Sequence, residues 1–420
     1  MNALRFLPSL ATLGAAQTGL FLVLARLYLP RPDQGRGRIA LGLAQAVVAA
    51  VFIGFLFASR KGIELHGWLR FVIEPLLLCE VLSLPLLVLL GVPLSLARRL
   101  QPRAAHEPDA SRRPDAARAQ DAARDADIAR RPGAAREPGP ELLEPRRLFL
   151  ARAATGLLGG TAALSAYGIS EAERDPELTR RDIFLPGLPA ALDGLTLLQL
   201  SDIHTGAFMT EARLARIARQ AATLNADLVV LTGDLIDVSE QAAPAFTRAM
   251  RDLHGRLGTY AILGNHDYLA SARAVERAVR DAGMTFLRNS GARVERGGAS
   301  LWIGGVDDPS RDSPGGPGPA LALRGAAPEE KRIMLAHRPQ LFEECAGAGS
   351  DLVLSGHTHG GQVALSSAWS FARLLGPYTM GHYRKGASQL YVHRGMGTVG
   401  PAPLRLGSPP EIALLTLRRS

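Results

Sequence analysis

The sequence predicts an α/β domain over residues 182–420, built on two sheets and preceded by a helical apolar region. Three observations carry this reading. From Leu195 onward, short apolar runs of strand length end in polar clusters, and windows of helical period separate several of them. In the later half, strand candidates follow one another with few helices between, which points to a second, partly antiparallel sheet. Residues 1–100 instead hold three apolar stretches, each near the ~20 residues that a helix needs to cross a bilayer core.

In chain order, those stretches fall at 7–29, 39–58 and 71–96, giving a membrane region with three predicted transmembrane helices. The second has no charged residue. Glu74 and Glu80 in the third have no obvious basic partner and read as incidental. Residues 101–145 interleave Arg with Asp and Glu among many Ala and Pro, without an aromatic residue, so they read as a disordered linker. Residues 146–170 form a fourth apolar segment. Its opening, Arg146 and Arg147 before Leu148, Phe149 and Leu150, resembles a twin-arginine signal anchor and equally suits the positive flank of a fourth transmembrane helix. The Arg-rich loops belong on the cytoplasmic side, so four crossings put 171–420 on the extracytoplasmic side of a bacterial inner membrane. The net charge of +9 lies largely beside these apolar runs, which fits membrane topology and argues against nucleic acid as a partner. Only two cysteines, Cys79 and Cys345, stand far apart, excluding a disulfide framework and a CxxC zinc site.

Within the α/β domain, LTLLQLSDIH from Leu195 reads as a strand and a helix follows near 210–224. ADLVVLTGDLID, a helix near 241–254, GTYAILGNHD and a helix near 271–282 continue the alternation. The remaining strands are TFLRN, ARVER, LWIGGVDD, RIMLAHRP, DLVLSGHTH, QLYVHRG and EIALLTL.

In such folds ligands bind beyond the carboxyl ends of strands. Five predicted strand ends carry metal-ligand residue types: Asp202 and His204; Asp234; Asn265 and His266; His337; His357 and His359. Five of the ten histidines fall in these clusters, too many for isolated core histidines. Two carboxylates, an amide oxygen and four imidazoles make a mixed O/N set for divalent first-row metals, more than one tetrahedral site needs and enough for two. Two divalent ions against two Asp carboxylates leave positive charge that a phosphoryl group would neutralise. Gly233, Gly264 and Gly356 each precede a proposed ligand, as expected where another group comes close to the backbone.

DIH (Asp202 to His204), GDLID (Gly233 to Asp237), GNHD (Gly264 to Asp267), His337 and GHTH (Gly356 to His359) resemble, in order, the five-part signature of the calcineurin-like metallophosphoesterases. The resemblance covers about residues 182–420 and implies a four-layer α/β/β/α sandwich with a dimetal site. GGQ, YVHRGMGTVGPAPLRLG and PPEIALLTL are similar to a membrane-anchored, often twin-arginine-exported bacterial branch, some members of which are linked to UDP-2,3-diacylglucosamine hydrolysis in lipid A synthesis. Carried over by position, Asp202, His204 and His359 would hold one ion, with Asp234 bridging. Asp234, Asn265, His337 and His357 would hold the other. The resemblance gives His266 the catalytic part of stabilising phosphate charge or protonating the leaving oxygen, oriented by Asp267, and makes Asp237 an orienting group behind the ligands. Mn, Fe, Zn, Co and Mg all remain open as the pair of ions.

The expected activity is therefore hydrolysis of a phosphodiester or diphosphate bond by metal-activated water, on a phosphate substrate that anchoring would make lipid-linked, such as UDP-2,3-diacylglucosamine. A phosphomonoesterase or protein phosphatase of the same superfamily is one alternative. A membrane sensor with a regulatory soluble domain is another. Asp307 and Asp308 suit either the site or a turn before Pro309. His254, His382 and His393 read as structural or surface residues, and Arg384, Lys385 and Arg394 as weaker candidates for phosphate or headgroup contact.

Overall fold

The computed structural model describes residues 143–310, 316–364, 370–374, 376–400 and 403–420. The three predicted transmembrane helices, and the linker apart from its last residues, lie outside the described residues. The first described element is a 31-residue helix, α1 (Leu143–Glu173). No helix among the described residues is long and apolar enough to cross a membrane. The expectation of a fourth transmembrane helix over 146–170 thus finds no support among the described residues: α1 has the length, but Ala, Gly, Ser and Thr dominate its middle and Arg152 interrupts it. Residues 163–420 belong to one compact unit, and the last turns of α1 dock within it. There the Gly168 carbonyl accepts from the Arg405 amide at 2.9 Å. The Ala172 carbonyl accepts from Arg213 Nη2 at 2.7 Å.

The α/β alternation forms as the periodicity predicts. After β1 (Glu177–Leu185) come β2 (Thr196–Leu200), α2 (Glu211–Ala222), β3 (Leu228–Thr232), α3 (Ala243–Met250) and β4 (Gly258–Ile262). Next are the short helix α4 (Asn265–Ala270), α5 (Ala272–Asp281) and β5 (Thr285–Phe286). The Thr210 hydroxyl caps α2 by accepting from the Arg213 amide, and Ser271 caps α5 in the same way through Ala274. The second half gives β6 (Ser290–Arg296), β7 (Ala299–Gly305), α6 (Pro319–Ala322), β8 (Lys331–Leu335), α7 (Phe342–Gly347) and β9 (Leu352–Ser355). It closes with β10 (Gly381–Lys385), β11 (Ser388–Val392) and β12 (Glu411–Arg419).

Two six-stranded sheets result, in the orders β1-β12-β2-β3-β4-β5 and β10-β11-β9-β8-β7-β6. Strands β2 to β5 run parallel, as do β7, β8, β9 and β11, so their carboxyl ends gather at one edge of each sheet. Antiparallel pairs occur in both sheets, β12 with β2 in the first and β6 and β10 at the edges of the second. One apolar cluster joins Leu197, Val230 and Ile262 of the first sheet to Ile303, Leu335 and Leu354 of the second. The outer face of the first sheet packs on α2, α3 and α5 through Leu214, Ile217, Phe246 and Val275. The outer face of the second packs on α6 and α7 through Ala322, Phe342 and Cys345. Strand β3, LVVLT, is buried at every residue, because sheet faces it on one side and helices on the other. Each Leu or Val there contributes about 1.5 to 3 kcal/mol by burial, so one charged substitution would cancel much of the strand's gain.

Candidate metal centre

The site forms where the carboxyl ends of the two sheets meet. Gln199 of β2 links them below the site, its amide donating to Thr232 Oγ1 at 3.1 Å and to the Ser355 carbonyl at 3.0 Å. Above it, each ligand group leaves its strand in a sharp turn. Asp202, His204, Asp234, His357 and His359 all have positive φ, between 51° and 70°. A side chain there is strained, and clustered strain of this kind marks functional sites. The expected crowding at glycines is present: a β-carbon at Gly264 would collide with the Asp234 carboxylate, and one at Gly356 with that of Asp202.

The structure brings Asp202, His204, Asp234, His337, His357 and His359 together in this cluster. Asp202, His204 and His359 offer donor atoms within 4.8 Å of one another, and so do Asp234, His337 and His357. The two histidines of GHTH thus fall in different groups. His204 Nε2 lies 3.1 Å from His359 Nε2, and His357 Nδ1 lies 3.3 Å from His337 Nε2. Asp234 Oδ2 is 3.6 Å from His204 Nε2 and 3.3 Å from His337 Nε2, between the groups. Two donors each about 2.1 Å from one ion stand roughly 3 to 3.5 Å apart, so these spacings suit shared coordination. Asn265 Oδ1 is buried without a hydrogen-bond partner, as an oxygen reserved for a cation would be. On these observations the residues fit divalent metal ions.

Hydrogen bonds behind the ligands fix their orientation. His337 Nδ1 donates to the Thr232 carbonyl at 2.8 Å, turning Nε2 toward Asp234. The His357 amide donates to both oxygens of Asp202, at 2.9 and 3.0 Å, and the His266 amide to Asp234 Oδ1 at 2.8 Å. The electrostatics follow from burial and these pairings. Burial works against the charged form of His337, but Asp234 and Asp202 override it and push its pKa up to about 10. His357 is pulled down to about 3 by burial, His337 and Arg338. Burial likewise holds His359 well below its usual value, with His204 and Arg405 adding to the effect. Burial disfavours the charge on Asp234, yet His337 and His204 hold its pKa well below the ordinary carboxylate range.

His266 sits beside the ligands, its ring 4.7 Å from that of His204 at a near-perpendicular angle. It also falls within a third group with His204 and Asp234. Its orienting partner differs from the expectation. His266 Nδ1 lies 3.2 Å from Asp237 Oδ1, whereas the Asp267 carboxylate accepts three backbone amides, those of Leu235 and Ile236 at 2.9 Å each and Gly264 at 2.8 Å. Asp267 therefore braces the loops, because a fully buried carboxylate takes the nearest donors and amides surround it. Burial and Asp234 push its pKa up to about 7 against those amides. For Asp237, burial raises and the two histidines lower, leaving it at about 2.

Sequence reasoning missed two neighbours of the site. Arg405, fully buried, donates to the carbonyls of Arg394, Gly395, Gly397 and Ser408 and reaches within 3.4 Å of His359 Nδ1. Burial brings its pKa down to about 9. Arg338, next to His337, pairs with Asp308. Neither carries a local signal, since an arginine is usually solvated. Among the weaker candidates, Arg394 pairs with Glu177 and Glu411, and Lys385 with Glu343. His393 is buried with Nδ1 accepting from the Gly395 amide, and His382 pairs with Gln389.

The profile of the family described as calcineurin-like phosphoesterase matches residues 195–361, which span the first ligand strand to GHTHGG. The chain is 31% identical over 251 residues to the metallophosphoesterase YkuE of Bacillus subtilis, covering 58% of this chain and 85% of that one. The chain belongs to the calcineurin-like metallophosphoesterases. That family comprises hydrolases acting on phosphoester bonds. A metallophosphoesterase of Aquifex aeolicus is 32% identical over 233 residues, covering 53% of this chain and 85% of its own. The zebrafish Danio rerio has a relative named "Transmembrane protein with metallophosphoesterase domain", 34% identical over 271 residues. The match covers 62% of this chain and 61% of that relative's length.

Proposed function

We propose that the protein is a membrane-anchored, two-metal phosphoesterase that hydrolyses a phosphodiester or diphosphate bond, on a lipid-linked substrate such as UDP-2,3-diacylglucosamine. The observation that carries the reading is the pair of trios, Asp202/His204/His359 and Asp234/His337/His357, with the Asp234 carboxylate between them. In this reading Asp202, His204 and His359 hold one ion and Asn265, His337 and His357 the other, with Asp234 shared. The bound ions would supply Lewis acidity and lower the pKa of coordinated water toward neutrality. His266, held by Asp237, donates a hydrogen bond to the phosphoryl oxygens or a proton to the leaving oxygen. Asp267 keeps the loops of Asp234 and Asn265 in register through its three amides. Anchoring is supported by the apolar N-terminal stretches and by the zebrafish relative's name. It would place the site at a bilayer surface, on the extracytoplasmic side of a bacterial inner membrane.

The test is turnover by the full chain in detergent with Mn²⁺, on a phosphodiester, a phosphomonoester and a nucleoside-diphosphate lipid. Metal-dependent release from the diester or the diphosphate is the expected result. No turnover of any of the three across Mn, Fe, Zn, Co and Mg would sink the reading. Preference for the monoester would replace it with a phosphatase.

A further inference from the structure

Beside the ligands lies an ion pair that neither metal binding nor the His266–Asp237 contact uses. Arg338 follows His337 at the carboxyl end of β8, and Asp308 lies three residues beyond β7, its parallel neighbour. The Asp308 side chain is fully buried, and its oxygens accept from Arg338 Nε at 2.9 Å and Nη2 at 3.2 Å. A planar guanidinium gripped along one edge is fixed in direction. Among the described residues, Asp308 is its only hydrogen-bond partner, and 30% of the Arg338 side chain stays exposed, so donors remain available to solvent or ligand. The grip is tied to the other side of the site as well. The Tyr268 hydroxyl of α4, the helix that begins with Asn265 and His266, donates to Asp307 Oδ1 at 2.6 Å. The segment 307–308 thus links α4 to Arg338.

A solvent-facing salt bridge contributes little to stability, and a buried carboxylate is expensive to maintain. An arrangement that buries the acid and leaves the base open is poor as a stabilising device. It suits the presentation of a fixed cation to an anionic ligand. We propose, building on the phosphoesterase reading above, that Arg338 is a specificity-determining residue that receives a second phosphoryl group of the substrate, oxygen-bridged to the scissile one. Asp308 acts as the positioning residue that aims it. The site then favours a diphosphate bridge over a single phosphodiester. In that hydrolysis water forms the new P–O bond and the bridging P–O bond breaks. Both halves leave as phosphate monoesters, with one water proton going to the departing oxygen or to solvent.

The experiment uses the full chain in detergent with Mn²⁺, as wild type, R338A, R338K and D308N. One arm measures kcat/KM on a P1,P2-diester of diphosphoric acid and on bis(p-nitrophenyl) phosphate. The ratio of the two should fall by about tenfold or more in R338A, mainly through KM, since a charge-assisted hydrogen bond is at stake. R338K should recover part of the loss, because a point charge replaces the fork. D308N, keeping the guanidinium but freeing it, should fall between. The second arm needs no turnover: calorimetry gives the Kd of a P,P′-diester of methylenediphosphonate, which should weaken by a similar factor in R338A while metal content stays that of wild type. Equal losses on both substrates with an unchanged Kd would overturn the proposal and make the pair structural. Absence of turnover by wild type would instead defeat the phosphoesterase reading, and the calorimetric arm would still decide the part played by Arg338.

Discussion

In the proposed reaction His266 is the side chain on which the chemistry would turn, and its contacts separate two roles. With Nδ1 on Asp237 at 3.2 Å, its Nε2 is the atom left to meet substrate. His266→Ala should lower kcat by about 10²- to 10⁴-fold, the usual worth of a positioned acid or base, with metal content by atomic emission unchanged. Loss of metal would instead make it a ligand, as its grouping with His204 and Asp234 allows. Asp237→Asn should cost about 10- to 100-fold in activity or metal affinity, the range for a partner that orients a functional imidazole. Asp267→Asn works differently. It swaps an acceptor of three amides for a group with one oxygen and one donor, so it should destabilise the fold by about 1.5 to 3 kcal/mol per lost bond in urea unfolding. This contrast could not be drawn from GNHD as a string. The motif shows His266 and Asp267 as neighbours in sequence, yet a helix start sends successive side chains in different directions, and the true partner of His266 sits 29 residues away.

Among the elements, what the sequence revealed depended on how many faces of each strand are covered. β3 and β9 are buried on both sides, so their apolar runs were plain. β1, ELTRRDIFL, and β10, GHYRK, lie at sheet edges with most residues exposed or half-exposed, so they carry too few apolar residues to register as strands. The ligand clusters were legible because metal chemistry restricts residue types at strand ends. Arg338 and Arg405 were not, because only the packing of loops brings them to the site. At the opposite end of the second sheet, Glu330 binds three strands together: it accepts from Arg293 of β6 and Ser300 of β7 just before β8 begins. The Arg293 hydrogen bond, helped by Ser300 and the Ala327 amide, outweighs burial and holds its pKa at about 2, against an ordinary 4.5. A depressed carboxylate stabilises the fold above its unfolded pKa and loses that contribution as pH falls through the folded one. Glu330→Gln should thus cost about 1 to 2 kcal/mol at pH 7, after allowance for the half-exposed Arg293, and the deficit should vanish between about pH 4.5 and 2. Urea unfolding of both proteins across that range checks it.

In the whole domain, two sheets share one inner core and the site straddles their edges, so ion binding and folding are linked. Chelator-treated protein should melt below the metal-loaded form, since an ion at about 100 times its Kd adds roughly 2.7 kcal/mol for each site. Calorimetric scans with and without EDTA measure the difference. Topology is testable at the same scale: an alkaline phosphatase reporter fused after Ser420 should be active, and an inactive one would overturn the extracytoplasmic placement. The left-handed backbone at Asp202, His204, Asp234, His357 and His359 sharpens the link. Each such residue costs of order 1 kcal/mol relative to glycine, whether or not an ion is present. His357→Gly should therefore raise the melting temperature of the chelated protein and lower that of the metal-loaded one, a reversal of sign that a merely structural histidine would not give. It follows that the lifetime of this chain would rise and fall with divalent-ion supply, and its steady-state abundance would report on the metal status of the compartment it faces.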